Sequence, residues 1–577
     1  MQDLSSDNVT SSLDTLWKSR DITPAVFLAL GGTSSDLPAR RRLDVRLESS
    51  DGGATNWGLV AVRKGQHVVI SRIKDDGLLA SWNAANPDMT AGVGDGIVTV
   101  NDEDDVDKFL DILSIDTPAL HMVIEQKEDC FTRMAAGGRD WQLAGRTPLA
   151  PALNDASLSG NWWPMLEAVA SESSGCDAAI GCMVGLALGD ALGAPLEFVS
   201  VVPWPHDCGG SGFQWSPEER PCLLPDFEEG LPQYSNAYNR FGMEVGQWTD
   251  DCSMALCLAD SLLAHGDYRG GDLRLRWHMW WFHGCCNAFQ HDALRPDCAS
   301  VGLGGNVGQS LQEINHLAEG SEISWESVPP VYAAGGEDAG NGSIMRIAPI
   351  PIFYRKDLGK AVDVAAQQSR ASHPGDEAAA CSQFMAYFIV RALAAHNECR
   401  DPAIDRQGFV TDVVDTFLSV YCCDDEGLAG GSKGITRLRA LLQCSPPGPE
   451  EANWNWKSAE LPIQDAITAR RATEDGEYNG HPVIPTYFGA YCMDGLAMAL
   501  WAVWNADDFG TCLRLAINLL GDADTTAAIA GQLAGAIFGY RRILDDTVGA
   551  ACVRNLQRWD PCAEIGLRAA LLYHYSF

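Results

Sequence analysis

Positive charge is scarce in this chain: 41 Lys and Arg stand against 77 Asp and Glu, a formal charge of −36. Broad binding to nucleic acid or to an anionic membrane needs clustered Lys and Arg, so neither surface is expected. If the ligand carries phosphates, metal ions and helix N-termini must supply the positive field. No uninterrupted apolar run reaches the roughly 18 residues that span a bilayer. The start, Met1-Gln2-Asp3-Leu4-Ser5-Ser6-Asp7, lacks the basic and then apolar pattern of a signal peptide. A soluble, cytoplasmic protein is the expectation. Nineteen cysteines never form a CxxC pair, and Cys285-Cys286 and Cys422-Cys423 are neighbours that rarely bridge to each other. Free thiols are expected and a zinc site is not. No periodic repeat stands out.

At 577 residues the chain exceeds one ordinary core, and two units are expected. Residues 1–38 form a polar leader. Across 39–127 short strands are predicted at Leu43–Leu47, Gly58–Val62, His67–Ile70, Ile97–Val100 and Leu120–Ile124, with a helix over Asp104–Leu113. Trp57-Gly58-Leu59-Val60 and Gly94-Asp95-Gly96-Ile97-Val98-Thr99-Val100-Asn101 stand in this order. The arrangement resembles a PDZ-like domain, which implies a possible peptide ligand added as a strand to a sheet edge. A small β module that only packs on its neighbour is the plain alternative.

Residues 128–175 read as a linker, rich in Gly, Ala, Pro, Ser and acidic residues. From 176 to 577 a helical pattern dominates, interrupted at about 203–245 and 424–485 by stretches that read as long loops. Gly181, Gly185, Gly189 and Gly193 recur every four residues, as do Gly531, Gly535 and Gly539. Each interior glycine costs about 1 kcal/mol of helix propensity relative to Ala. Such stripes are expected where two backbones approach closely at the centre of a helical domain.

The chemistry is carried by two oxygen-rich clusters about 270 residues apart, Gly246-Gln247-Trp248-Thr249-Asp250-Asp251 and Gly521-Asp522-Ala523-Asp524-Thr525. Each opens an apolar helical stretch, and Thr249, Asp522 or Asp524 could serve merely as helix caps. Yet each cluster holds more oxygen donors than one helix end can use. Crowded carboxylates repel unless a cation lies between them, and hard cations such as Mg²⁺ and Mn²⁺ take such ligands. Three segments add to the pattern. Gly340-Asn341-Gly342-Ser343-Ile344-Met345-Arg346 is a small-residue loop suited to a diphosphate. Ser369-Arg370-Ala371-Ser372-His373-Pro374 offers a hydroxyl and an imidazole. Glu197 follows the first glycine-striped helix.

These segments, in this order, resemble the ADP-ribosylglycohydrolase family, which includes the dinitrogenase-reductase-activating glycohydrolases. The resemblance implies an all-α orthogonal bundle over about 176–577, with a binuclear centre of two Mg²⁺ or Mn²⁺ ions. By motif, the metal ligands are Thr249, Asp250, Asp251, Asp522, Asp524 and Thr525. Glu197, Asp251 and Asp524 are the candidate catalytic groups, Glu197 as a movable acid. Asn341, Gly342, Ser343, His373 and Tyr491 are the candidate substrate-binding residues. Three departures from the family pattern, Cys252, Ser372 and Leu520, remove no proposed ligand. The implied activity is cleavage of a glycosidic bond between ADP-ribose and an acceptor on a protein or small conjugate. A non-catalytic ADP-ribose or nucleotide binder and a PDZ-like scaffold are the competing readings.

Overall fold

The computed structural model describes most of residues 42–125 and of 162–574; the principal stretches left out between these limits are 126–161, 199–238, 423–431, 445–454 and 459–476. The leader, most of the linker and the bulk of both long loops thus lie outside the described residues. The chain divides into two units, Gly31–Arg139 and Asp140–Phe577 with the first 30 residues.

In the smaller unit all five strands form where alternation predicts them: β1 (Arg42–Glu48), β2 (Leu59–Lys64), β3 (His67–Ile73), β4 (Gly96–Val100) and β5 (Ala119–Glu125). They make one antiparallel sheet in the order β1-β5-β4-β3-β2. Along β1, Leu43, Val45 and Leu47 are buried while Asp44 and Arg46 face solvent, the period of two that a one-sided sheet imposes. Trp57 and Leu79 close the core from outside the strands, Leu79 from a helix the sequence reading lacked, α1 (Leu78–Ala85). Of the helix expected over Asp104–Leu113, only Lys108, Ile112 and Leu113 are described as helical.

Helices build the larger unit, and one antiparallel pair forms its centre: α3 (Ser174–Gly193) and α14 (Ala523–Phe538). The glycine stripes explain their closeness. A Cβ on Gly189 would sit 2.1 Å from the Ala527 carbonyl oxygen, and one on Gly193 would sit 2.4 Å from Cα of Asp524. Farther along, Gly185 meets Gly531 and Gly181 meets Gly535. No side chain larger than hydrogen fits this seam without moving a backbone. The seam thereby fixes the start of α14 against the end of α3, which decides where two of the acidic residues go.

Around this pair pack α2 (Trp162–Glu172), α4 (Asp250–His265), α9 (Asp376–Asn397), α12 (Cys492–Asn505), α13 (Phe509–Ile517) and α17 (Glu564–His574). Chain order places α5 (Gly270–His283), α6 (Gly305–Ala318), α7 (Pro349–Phe353) and α8 (Leu358–Arg370) between α4 and α9, then α10 (Arg406–Tyr421) and α11 (Ser432–Leu442) before α12. Beyond α14 come α15 (Tyr540–Asp545) and α16 (Thr547–Leu556). By length and composition α3 and α9 are apolar enough to cross a membrane, yet both lie enclosed by other helices, which accounts for their apolar character. Every described cysteine is a free thiol.

Two boundaries differ from the sequence expectation. The unit's helices begin at Trp162, inside the expected linker: α2 buries Trp163, Leu166 and Val169, and the Trp163 indole donates to the Asp560 carbonyl. The expected loop over 424–485 contains α11, which packs on α9 with Gly434 against the Asp376 carbonyl. Glycine and acidic residues at its flanks hid its short apolar face.

Candidate metal centre

The two acidic clusters, remote in sequence, meet at neighbouring helix N-termini. Neither works as a set of caps. Thr249 precedes α4 and Asp522 precedes α14, and neither side chain bonds its own helix end. Instead the Thr249 hydroxyl lies 2.8 Å from Asp190 Oδ1 and 3.4 Å from both Asp251 Oδ2 and Asp524 Oδ2. Asp522 Oδ2 accepts from Asn341 Nδ2 at 2.6 Å, and Thr525 donates its N–H to Asp524 Oδ1 at 2.9 Å. The oxygens face one another.

Asp190 completes the arrangement, and the sequence reading did not single it out. It sits on α3 and accepts from the Thr249 N–H (2.8 Å), the Thr249 hydroxyl and the Cys252 N–H (2.9 Å). It therefore caps α4 from a different helix, doing what Thr249 was expected to do. The signal was present: a charged residue within a 20-residue helix that is otherwise almost wholly apolar and buried.

One ligand atom from each of Asp190, Asp251 and Asp524 lies within 4.8 Å of the others, and the same holds for Glu197, Asp522 and Asp524. Asp524 belongs to both groups. Asp250 belongs to neither; its Oδ1 sits against Gly302, where a Cβ would approach to 2.2 Å. Glu197 follows a 3₁₀ turn (Ala194–Leu196), and the next residue donates its N–H to the Gly521 carbonyl at 2.9 Å, tying that turn to the start of the second cluster. Leu520 adopts φ +60° there, a left-handed conformation that disfavours a bulky side chain.

Burial is the main force on these acids. It pushes Asp190 up to about 6, and burial with the neighbouring Asp190 charge brings Asp524 to about 6. Asp522 rises to about 7 through burial and then Asp524. Glu197, Asp250 and Asp251 lie well above the usual carboxylate range, again through burial first and neighbouring acids second. Among the described residues no Lys or Arg pairs with these six. Glu197 Oε2 and Asp251 Oδ1 are buried without a hydrogen-bond partner. Buried oxygens in this state are what a divalent cation satisfies, so the donor set fits a hard metal ion.

Beside the acids, a 3₁₀ turn (Asn341–Ser343) forms the next wall. Asn341 joins it to the centre, donating to Asp522 and also to the Gly489 carbonyl at 3.0 Å. Gly342 leaves room for the His373 ring, whose Cε1 would lie 2.6 Å from a Cβ. The Ser343 hydroxyl points inward to α9, accepting from Ser382 at 3.1 Å, so only its backbone is placed to meet a ligand. Burial and then Arg346 push His373 down to about 3, which keeps the imidazole neutral at ordinary pH, with Nδ1 2.8 Å from the Ser372 hydroxyl. Tyr491 pairs with Gly340 through a backbone bridge and donates its phenol to Glu377 Oε2 at 2.7 Å. Arg437, on α11, lies 3.0 Å from Glu377 Oε1 and 3.2 Å from the phenol oxygen. Glu377 and Arg437 were not foreseen, because the segment carrying Arg437 reads as loop.

A helical fold whose core ends in a carboxylate-lined centre beside a glycine-rich turn has a donor set that could hold a hard cation. A family model described as ADP-ribosylglycohydrolase matches residues 171–567, and the chain belongs to that family; it is a glycohydrolase. The β unit lies outside the match. ADP-ribosylarginine hydrolase Tri1 of Serratia proteamaculans is 28% identical over 71% of this chain and 87% of its own length. ADP-ribosyl-[dinitrogen reductase] glycohydrolase of Rhodospirillum rubrum is 26% identical, covering 63% and 86%. ADP-ribosylhydrolase ARH3 of Gallus gallus is 22% identical, with coverage of 63% and 86%.

Proposed function

We propose that the helical unit cleaves the bond between the anomeric carbon of ADP-ribose and an acceptor atom, at a centre that binds two Mg²⁺ or Mn²⁺ ions. The observation that carries this reading is the convergence of two distant acidic clusters around buried oxygens with no protein partner. Asp251, Asp522 and Asp524, with Thr249, Thr525 and Asp250 at the edges, would hold the ions, and Glu197 borders them. Bound cations would supply the positive charge that offsets these carboxylates and stabilises charge developing as the glycosidic bond breaks.

The chain's own groups account for the rest. The Gly342 and Ser343 N–H groups would meet the diphosphate, the Asn341 N–H being held by the Ala490 carbonyl at 2.9 Å, with His373 a neutral wedge behind Gly342. Asn341 orients Asp522. Asp251 Oδ1, buried without a hydrogen-bond partner, would accept a proton from the attacking water once bound cations offset the burial and neighbouring acids that raise it, and Glu197, which borders Asp522 and Asp524, would protonate the departing acceptor. The water's hydroxyl ends on the sugar carbon and a proton on the acceptor.

A turnover assay across defined ADP-ribosylated substrates with Mg²⁺ tests the proposal, with Asp250→Ala as the blank. Cleavage of at least one conjugate by the native chain and none by the variant is expected; equal activity in both removes the proposed site. For the β unit, peptide binding remains a proposal supported by its edge strand β2, and titration of the 31–139 fragment with C-terminal peptides tests it.

A further inference from the structure

We infer that Phe198 is a cation-binding face for the acceptor, selecting a guanidinium leaving group over a hydroxyl one; this rests on the hydrolase reading above. Four observations meet at this residue. It directly follows Glu197, the acid bordering Asp522 and Asp524. Its backbone lies at φ +67°, a conformation costly for a bulky side chain and commonest where function over-determines the geometry. The residue is 40% exposed, unusual for a phenylalanine beside so buried a centre. It already carries a guanidinium: Arg240 Cζ lies 4.5 Å from the ring centroid, with Phe241 edge-on at 5.9 Å and 74°.

Among the described residues Arg240 has no carboxylate partner and no side-chain hydrogen bond, so its tie at this place is the aromatic face. A cation held only by a partly exposed ring is readily displaced. The leaving atom must come within hydrogen-bond reach of Glu197, and an acceptor on a protein must arrive from solvent. Among the described residues, Phe198 directly follows that acid and is 40% exposed. An arginine acceptor presents a planar, delocalised cation that stacks on an aromatic ring, replacing Arg240 like for like. A serine oxygen has no such face. Phe198 thus discriminates by the leaving group's chemistry and leaves the ADP-ribose contacts unchanged.

The experiment compares an N-linked substrate, ADP-ribosyl-agmatine, with an O-linked one, an ADP-ribosylserine peptide, in the full-length protein with Mg²⁺. Phe198→Leu is expected to raise KM for the N-linked substrate several-fold with kcat and the O-linked KM unchanged, and Phe198→Tyr to restore it. Arg240→Gln is expected to lower the N-linked KM by emptying the ring. Calorimetric affinity for free ADP-ribose should stay constant in all variants, which separates specificity from damage to the fold. Equal changes for both substrates, or none in either, overturn the inference while leaving the hydrolase reading intact. A native protein that binds ADP-ribose but cleaves neither conjugate refutes the hydrolase reading, and this inference falls with it.

Discussion

Two sets of buried acids in the helical unit have opposite electrostatic designs. Asp260 and Glu564 share Arg568, which is 1% exposed and reaches Asp260 through both Nε (2.7 Å) and Nη2 (3.2 Å). Asp272 is fully buried, and burial opposes its ionisation, but Arg276 at 2.6 Å and His265 outweigh that and bring it to about 2. In the candidate centre six acids crowd together with no such partner, and several rise to about 6 or 7. The first arrangement is complete within the protein. The second lacks such a partner within the protein, which is the arrangement expected of the proposed cation site rather than of a structural network.

The largest expected contrast follows from removing one charge from each set. Asp524→Asn deletes the residue common to both oxygen groups. Turnover is expected to fall on the order of 10³-fold or more, while the melting temperature of the metal-free protein rises, because one repulsive carboxylate is gone. Arg568→Met should do the reverse, leaving kcat near native but lowering stability by about 3–5 kcal/mol through two stranded buried acids; urea unfolding reads this directly. If both variants shift stability in the same direction, the distinction between the sets is lost.

A smaller effect lies in pH. For Asp522 and Asp524 the folded values, about 7 and about 6, exceed the ordinary unfolded value. Between roughly pH 4 and those values the folded chain keeps protons that the unfolded chain has released, so stability falls as pH rises through this window. The metal-free protein should therefore melt lower at pH 8 than at pH 5, and saturating Mg²⁺ should erase most of the gap. Asp272 acts oppositely: its stabilisation is present above the unfolded carboxylate value and is lost as pH drops through about 2.

Much of this was legible in the residues, for physical reasons. A glycine every fourth position has few uses other than backbone contact, and the α3–α14 seam is that contact. Alternation over Leu43–Leu47 gave β1 because one face of the sheet is buried. The two clusters announced themselves by an excess of oxygen donors over any capping need. Asp190 was not read because an isolated acid inside a largely apolar helix carries no spacing signal of its own; its role appears only once α4 is packed against α3. Arg437 escaped for a related reason, since α11 is short and flanked by glycine and acidic residues, and its tie to Glu377 and Tyr491 spans separate parts of the chain. Long-range pairings of this kind are set by tertiary packing, which local pattern does not encode.

The most direct test of the central claim is calorimetric titration of Mn²⁺ and Mg²⁺ into the metal-free protein near pH 7.5. Saturable uptake is expected of the native chain, little or none of Asp524→Asn, and native-like uptake of Arg568→Met in its folded fraction. Absence of uptake by the native chain, or equal uptake by native and Asp524→Asn proteins, contradicts that claim.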